Sequence, residues 1–108
     1  MKVSELAALP EFTAVTLPDA DREITGVYIG DLLSWVMGRA QADDAWITIM
    51  SNVNVVAVAS LADVACVLLA EDVALEDAVK ETAAARGINV LSSPLSAYDI
   101  ACRLHSLL

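Results

Sequence analysis

Apolar and polar positions alternate along this chain in short blocks whose lengths suit the strands and helices of a small domain. Val3 to Leu9 has the spacing of a short helix, with Ser4 placed as a cap and Pro10 as a stop. Phe12 to Leu17 alternates and carries Thr and Val, which predicts a first strand. Pro18-Asp19-Ala20-Asp21 follows as a turn, because Pro fixes φ and Asp folds its side chain onto nearby amides. Ile24 to Ile29 reads as a second extended segment. From Gly30-Asp31 a helix is expected, since Leu32, Leu33, Val36, Met37 and Ala40 fall on one face. Asp31 in its first turn and Arg39 near its end complement the two poles of the helix dipole. Gln41 to Asp44 is polar loop.

Trp46 to Met50 is a strand by its aromatic and β-branched content, and Val64 to Ala70 is a buried one. The segment between them, Ser51 to Leu61, fits either period. Val53, Val55, Val56 and Val58 suit a strand, whereas Val55, Ala59 and Ala62 make a helical face that Asn52 would cap. Two parallel strands need a crossover, which is usually helical, so a helix is expected there. After the acidic loop at Glu71 and Asp72, Leu75 to Arg86 is a helix with Leu75, Ala78, Val79 and Ala83 inward and Glu76 and Lys80 paired outward; Gly87 follows its end. Ile88 to Leu91 is a last strand. Ser92-Ser93-Pro94 turns into a helix that Ser96 caps and that carries Ile100, Ala101, Leu104, Leu107 and Leu108. This alternation predicts an α/β fold: a three-layer α/β/α sandwich with a mostly parallel sheet of four to five strands, in one domain over residues 1–108.

Composition leaves two accounts of a chain that is 57% hydrophobic, a membrane span or a sheet covered on both faces. The longest apolar region, Val53 to Ala70, is interrupted by Asn54, Ser60 and Asp63, and one Asp at a bilayer centre costs about 2.5–3.5 kcal/mol on insertion scales. No Lys or Arg lies between Arg39 and Lys80 to anchor a span, and Met1 to Ala20 lacks a signal-peptide pattern. A soluble, cytoplasmic protein without a membrane partner is expected. Fifteen acidic against six basic residues give a formal charge of −9, which repels phosphate backbones and argues against nucleic acid as a partner. Cys66 and Cys102 sit among apolar neighbours and, with a single His in the chain, make no zinc pattern. Both read as buried thiols, and no metal or cofactor is implied.

Candidate binding residues follow from topology, because ligands of parallel sheets gather at the carboxyl ends of strands. Those ends supply Ser51, Asn52, Glu71, Asp72, Ser92 and Ser93, with Thr25 and Gly26 near them. Hydroxyls, an amide and free helix amino termini suit a small polar or anionic ligand. The same residues also read as helix caps, at Asn52 and Ser96, and as a turn, at Ser92 and Ser93. Asp21 and Arg22 make an ion pair, grip a carboxylate or fix a turn; Asp31 complements a helix end or acts as a general base. Glu71, Asp72, Glu76 and Asp77 lack the alternating oxygen pattern of a calcium loop and read as a solvated acidic face. His105 has no acidic or nucleophilic neighbour at readable spacing. High hydrophobicity on an acidic chain also fits a self-association face, with Tyr28, Leu32, Trp35 and Met37 as its contact residues.

The stretch Asp21-Arg22-Glu23-Ile24-Thr25-Gly26, followed by Tyr28-Ile29-Gly30-Asp31-Leu32-Leu33, resembles the signature of the DRTGG domain family. Trp46-Ile47-Thr48, Asn54 to Ala59 and Gly87 to Ser92 extend the resemblance over nearly the whole chain, and the fit is to stand-alone members. Val27 stands where a second Gly would often be, so no ligand needing close backbone approach there is implied. The resemblance implies an α/β/α sandwich like the amino-terminal domain of HPr kinase/phosphorylase. Family copies occur beside CBS domains in some inorganic pyrophosphatases and ahead of the catalytic part of some phosphate acetyltransferases, where they look regulatory. Stand-alone members are often encoded near sensor kinases and iron hydrogenase components. The expectation is a non-catalytic regulatory module that binds a small, nucleotide-like metabolite or mediates homodimerisation and docking to a signalling kinase or hydrogenase-related protein. A small stand-alone enzyme is the alternative.

Overall fold

In β3 (Asp44–Thr48) and β4 (Cys66–Leu69) every residue is buried. Alternate side chains of these strands enter different cores. Ala45, Ile47, Cys66 and Leu68 join Val3, Leu6, Ile100 and Leu104 on one face, while Trp46, Val67 and Leu69 join Val36, Val55, Ala59 and Val79 on the other. A sheet apolar on both faces must be covered on both, and it is. The computed structural model describes residues 1–108.

The sheet has five strands in the order β1-β5-β4-β3-β2, with β1 at Thr13–Thr16, β2 at Gly26–Ile29 and β5 at Val90–Ser92. Strands β2 to β5 are parallel neighbours in sequence order. Their crossovers are α2 (Leu33–Arg39), α3 (Val53–Ala62) and α4 (Asp77–Ala85), whose buried residues all enter the Trp46 core. The opposite face is covered by α1 (Val3–Ala7) and α5 (Ala97–Leu107). The α/β/α sandwich with a mostly parallel sheet is therefore the observed architecture. No helix is long and apolar enough to cross a membrane.

Several boundaries differ from the sequence reading, each for a physical reason. Strand β1 is antiparallel to β5, with an irregular register between Ala14 and Thr16. Helix α1 is closed by Glu5, whose carboxylate accepts from the Lys2 amide at 2.8 Å, and Ser4 is not its cap. Helix α2 starts at Leu33, because Asp31 is engaged elsewhere: its Oδ1 accepts from Thr48 Oγ1 at 2.7 Å and from the Ile49 amide at 3.0 Å. Helix α4 starts at Asp77, so Glu76 is its cap residue and not a member of a helical pair with Lys80. The ambiguous Val-rich segment is the helix α3; it is capped by Asn52, which accepts from the Asn54 amide at 2.9 Å. Cys66 is buried as expected, but Cys102 is exposed, since α5 turns that position to solvent.

Candidate functional site

The signature stretch builds a knot at the amino end of the sheet. Arg22, expected beside Asp21, instead reaches two loops that precede β3 and β4. Its Nε donates to Asp43 Oδ1 at 2.9 Å, and its Nη2 to the Asp63 carboxylate at 2.8 Å. Asp21 lies 3.9 Å from Lys2 Nζ and takes no part. Burial pulls the Arg22 pKa down, yet hydrogen bonds to Asp63 and Asp43, and then their charges, outweigh it and leave a net upward shift. Asp43 and Asp63 have φ of 68° and 58°, a left-handed conformation uncommon outside Gly that Asn and Asp adopt more readily than other residues. The Asp43 amide donates to the Asp63 carbonyl at 2.9 Å, so the two turns also hold each other.

Gly26 belongs to the same knot. A Cβ at this position would lie 2.5 Å from Asp44 Oδ1, and the Asp44 carboxylate is buried, with its Oδ2 accepting from the Gln41 amide at 2.8 Å. The glycine thus makes room for a neighbouring strand's carboxylate. The Thr25 amide donates to the Asp43 carbonyl at 3.0 Å. Beside this knot, buried Asn89 donates through Nδ2 to the carbonyls of Asp19 and Ala65 at 2.8 and 3.0 Å, and its Oδ1 accepts from the Asp19 amide at 2.9 Å. Cys66 is fully buried nearby, and burial pushes its thiol up to about 12 against the opposing charge of Arg22.

The candidate ligand residues do not form one site. Thr25 and Gly26 lie at the start of β2, paired with the start of β3, whereas Ser51 and Asn52 follow the far end of β3. Ser51 and Asn52 line a hollow of about 340 Å³ with Val53, Glu76 and Val79; Ser92 and Ser93 are not among its walls. Ser93 is buried, its Oγ accepting from the Leu95 amide at 3.1 Å, and its own amide donates to the Leu69 carbonyl. Ser92 is the last residue of β5 and so belongs to the sheet, Ser93 alone makes the turn bond, and Asn52 and Ser96 cap α3 and α5.

The apolar surface lies elsewhere. Leu32, Trp35 and Met37 are exposed and Tyr28 is half-buried against the Trp46 core, with the Arg39 guanidinium stacked 3.7 Å from the Trp35 ring centre. On the other face of the same strand, Val27 and Ile29 open into a groove of about 710 Å³ closed by Ala101, His105 and Leu108 of α5 and the carboxyl terminus. This groove is not legible in the sequence, because strand and helix are more than seventy residues apart. The position of β2 at the edge of the sheet is what leaves Val27 and Ile29 in solvent.

Among curated proteins no sequence matches. A crystal structure of the CBS and DRTGG domains of the regulatory region of Clostridium perfringens pyrophosphatase, complexed with the activator diadenosine tetraphosphate, is similar in fold, with a TM-score of 0.66 at 14% identity over 86% of this chain. The chain spans 40% of the length of that one. The sequence profile of the DRTGG domain matches residues 18–107, which include the Arg22 knot, every parallel strand and α5, and the chain belongs to the DRTGG domain family.

Proposed function

We propose that this protein is a non-catalytic regulatory module whose output is association, pairing with a second copy through the apolar surface of β2 and α2 and docking in that form to a signalling-kinase or hydrogenase-related partner. The observation that carries this reading is that five of the ten large exposed apolar side chains, Val27, Ile29, Leu32, Trp35 and Met37, fall within one short segment. Scattered apolar residues need no explanation, but exposed apolar side chains concentrated on one edge strand and the helix that follows it favour an interaction surface. Membership of a regulatory domain family supports it, and so does the use of the signature's Arg22 and Gly26 in loop and strand packing. Sedimentation of the intact chain from low to high micromolar concentration tests it. A dimer that dissociates on dilution is expected, and a monomer throughout would refute self-association.

A second reading, a small metabolite as the regulatory input, is favoured by the hollow beside Ser51 and Asn52 at the carboxyl ends of the strands. The nucleotide activator of the similar pyrophosphatase region supports it. Glu76 in its wall disfavours a phosphate beside it and suits a ligand that presents hydroxyl or amino groups there. A ligand at a hundredfold excess over its Kd adds about 2.7 kcal/mol and raises the melting temperature by on the order of 10 °C. A panel of nucleosides, nucleotides and dinucleotides that produces no shift above about 2 °C would exclude this reading.

A further inference from the structure

The two edges of the sheet are unlike. At β1 the pairing with β5 runs antiparallel and its register is broken between Ala14 and Thr16, and such a bulge disfavours addition of another strand. At β2 the register with β3 is regular over all four residues, and the strand carries no charge, proline or bulge. Gly30 N donates to the Ile47 carbonyl at 3.2 Å. Successive residues of a strand point their backbone groups to opposite sides, so the N–H and C=O of Val27 and Ile29 face outward from the sheet.

The order of residues along this edge is symmetric about Tyr28: Gly26-Val27-Tyr28-Ile29-Gly30. We propose that two copies of the chain join through β2, each strand antiparallel to the other about a two-fold axis at Tyr28, in one continuous sheet with five strands from each copy. This deepens the association reading above and rests on it. Val27 then faces Ile29 of the second copy, and their outward groups form about four hydrogen bonds across the axis. Gly26 meets Gly30, so nothing bulky crowds either end. The two Tyr28 residues form the central pair without mutual hydrogen bonds, at a Cα separation of about 4.5 Å.

Two further observations favour a second copy over an unrelated strand. Residues 24–40 contain one acidic and one basic residue, Asp31 and Arg39, on a chain of formal charge −9. Two copies therefore meet at a stretch with no net charge, where the excess negative charge opposes them least. Opposite residues of an antiparallel pair share a face of the sheet. Val27 and Ile29 of each copy consequently extend the apolar row of the other beneath Ala101, His105 and Leu108.

Cysteine cross-linking in the full chain, on a Cys102→Ser background that removes the exposed thiol, tests the register. Tyr28→Cys is expected to form a disulfide dimer under mild oxidation, since its Cα separation across the axis falls within the roughly 4.4–6.8 Å that disulfides span. Val27→Cys and Ile29→Cys, both at exposed positions that leave the cores intact, should each fail alone and cross-link when the two proteins are mixed. Same-residue pairs at those positions lie beyond the roughly 7 Å limit. Hydrogen exchange at the Val27 and Ile29 amides should slow by about tenfold or more between dilute and concentrated protein. A dimer in sedimentation that lacks the mixed cross-link and shows no slowing at these amides overturns strand pairing while leaving association intact. A monomer at every concentration overturns both.

Discussion

Arg22 Nη2 donates to both polar groups of a single residue, the Asp63 carbonyl at 2.6 Å and the Asp63 carboxylate at 2.8 Å. Asp63 ends α3 in a left-handed conformation where Gly is usual. The guanidinium thus holds a backbone geometry that is uncommon outside Gly, and it joins the turn before β4 to the turn before β3. Arg22→Ala should lower stability by about 2 kcal/mol, given charged hydrogen bonds that are partly screened by solvent. Arg22→Lys should recover little of this, because an ammonium cannot reproduce the planar fork. Chemical denaturation of the three proteins measures it, and an Arg22→Ala variant as stable as the parent would remove the structural role assigned to the knot.

Gly26→Ala should destabilise by about 1–3 kcal/mol, the range for forcing an extra methyl into a packed site, since its Cβ would fall 2.5 Å from Asp44 Oδ1. The same change in an Asp44→Ala background should cost clearly less. Denaturation midpoints for the double-mutant cycle check the coupling, and additive losses would contradict it.

Asn89→Leu should cost about 3 kcal/mol or more, because it leaves the Asp19 amide and the Asp19 and Ala65 carbonyls without their partner. Hydrogen exchange locates the damage: the Asp19 amide should lose protection in the variant, and retention of that protection would show that another group holds the turn.

The two thiols should differ in reactivity and in their effect on alkaline stability. Ellman's reagent should titrate Cys102 in the native protein and Cys66 only after unfolding. The Cys66 pKa is raised from 9.0 to about 12, so the folded state keeps a proton that the unfolded chain releases. Its contribution is intact below about pH 9 and is lost as the pH rises towards 12, with a limit on the order of 4 kcal/mol. Thermal melts of the parent should therefore fall more steeply above pH 9 than those of Cys66→Ala; parallel curves would contradict this. Arg22, with its pKa raised from an already high value, adds no pH dependence near neutrality.

Much of the fold was legible because covering a sheet on both faces leaves a mark in composition. Strands β3 and β4 were readable from apolar runs at Trp46 and Val64, and α3 from the need for a crossover between them. Its own periodicity was mute, since Val55, Val56, Val58 and Ala59 are all buried and leave little contrast between its sides. The antiparallel direction of β1 was not legible, because a strand of four residues carries no signal of direction. At the site, the sequence identified Gly26 and Arg22 as notable residues but not their partners, which are the first residue of β3 for Gly26 and the loops before β3 and β4 for Arg22. Asp31 was read as a helix-end charge because Leu32 and Leu33 continue the apolar spacing, yet Thr48 draws its carboxylate away. Tyr28, Leu32, Trp35 and Met37 were legible as apolar residues on an acidic chain, while Val27 and Ile29 became visible only with the strand order.

The broken register of β1 has a consequence for the size of any assembly. Strand addition at β2 uses up the one regular edge of each copy and leaves a bulged β1 at both outer ends. Growth then stops after a single step, and an acidic, apolar-rich chain gains a closed pair without acquiring the means to form a fibre.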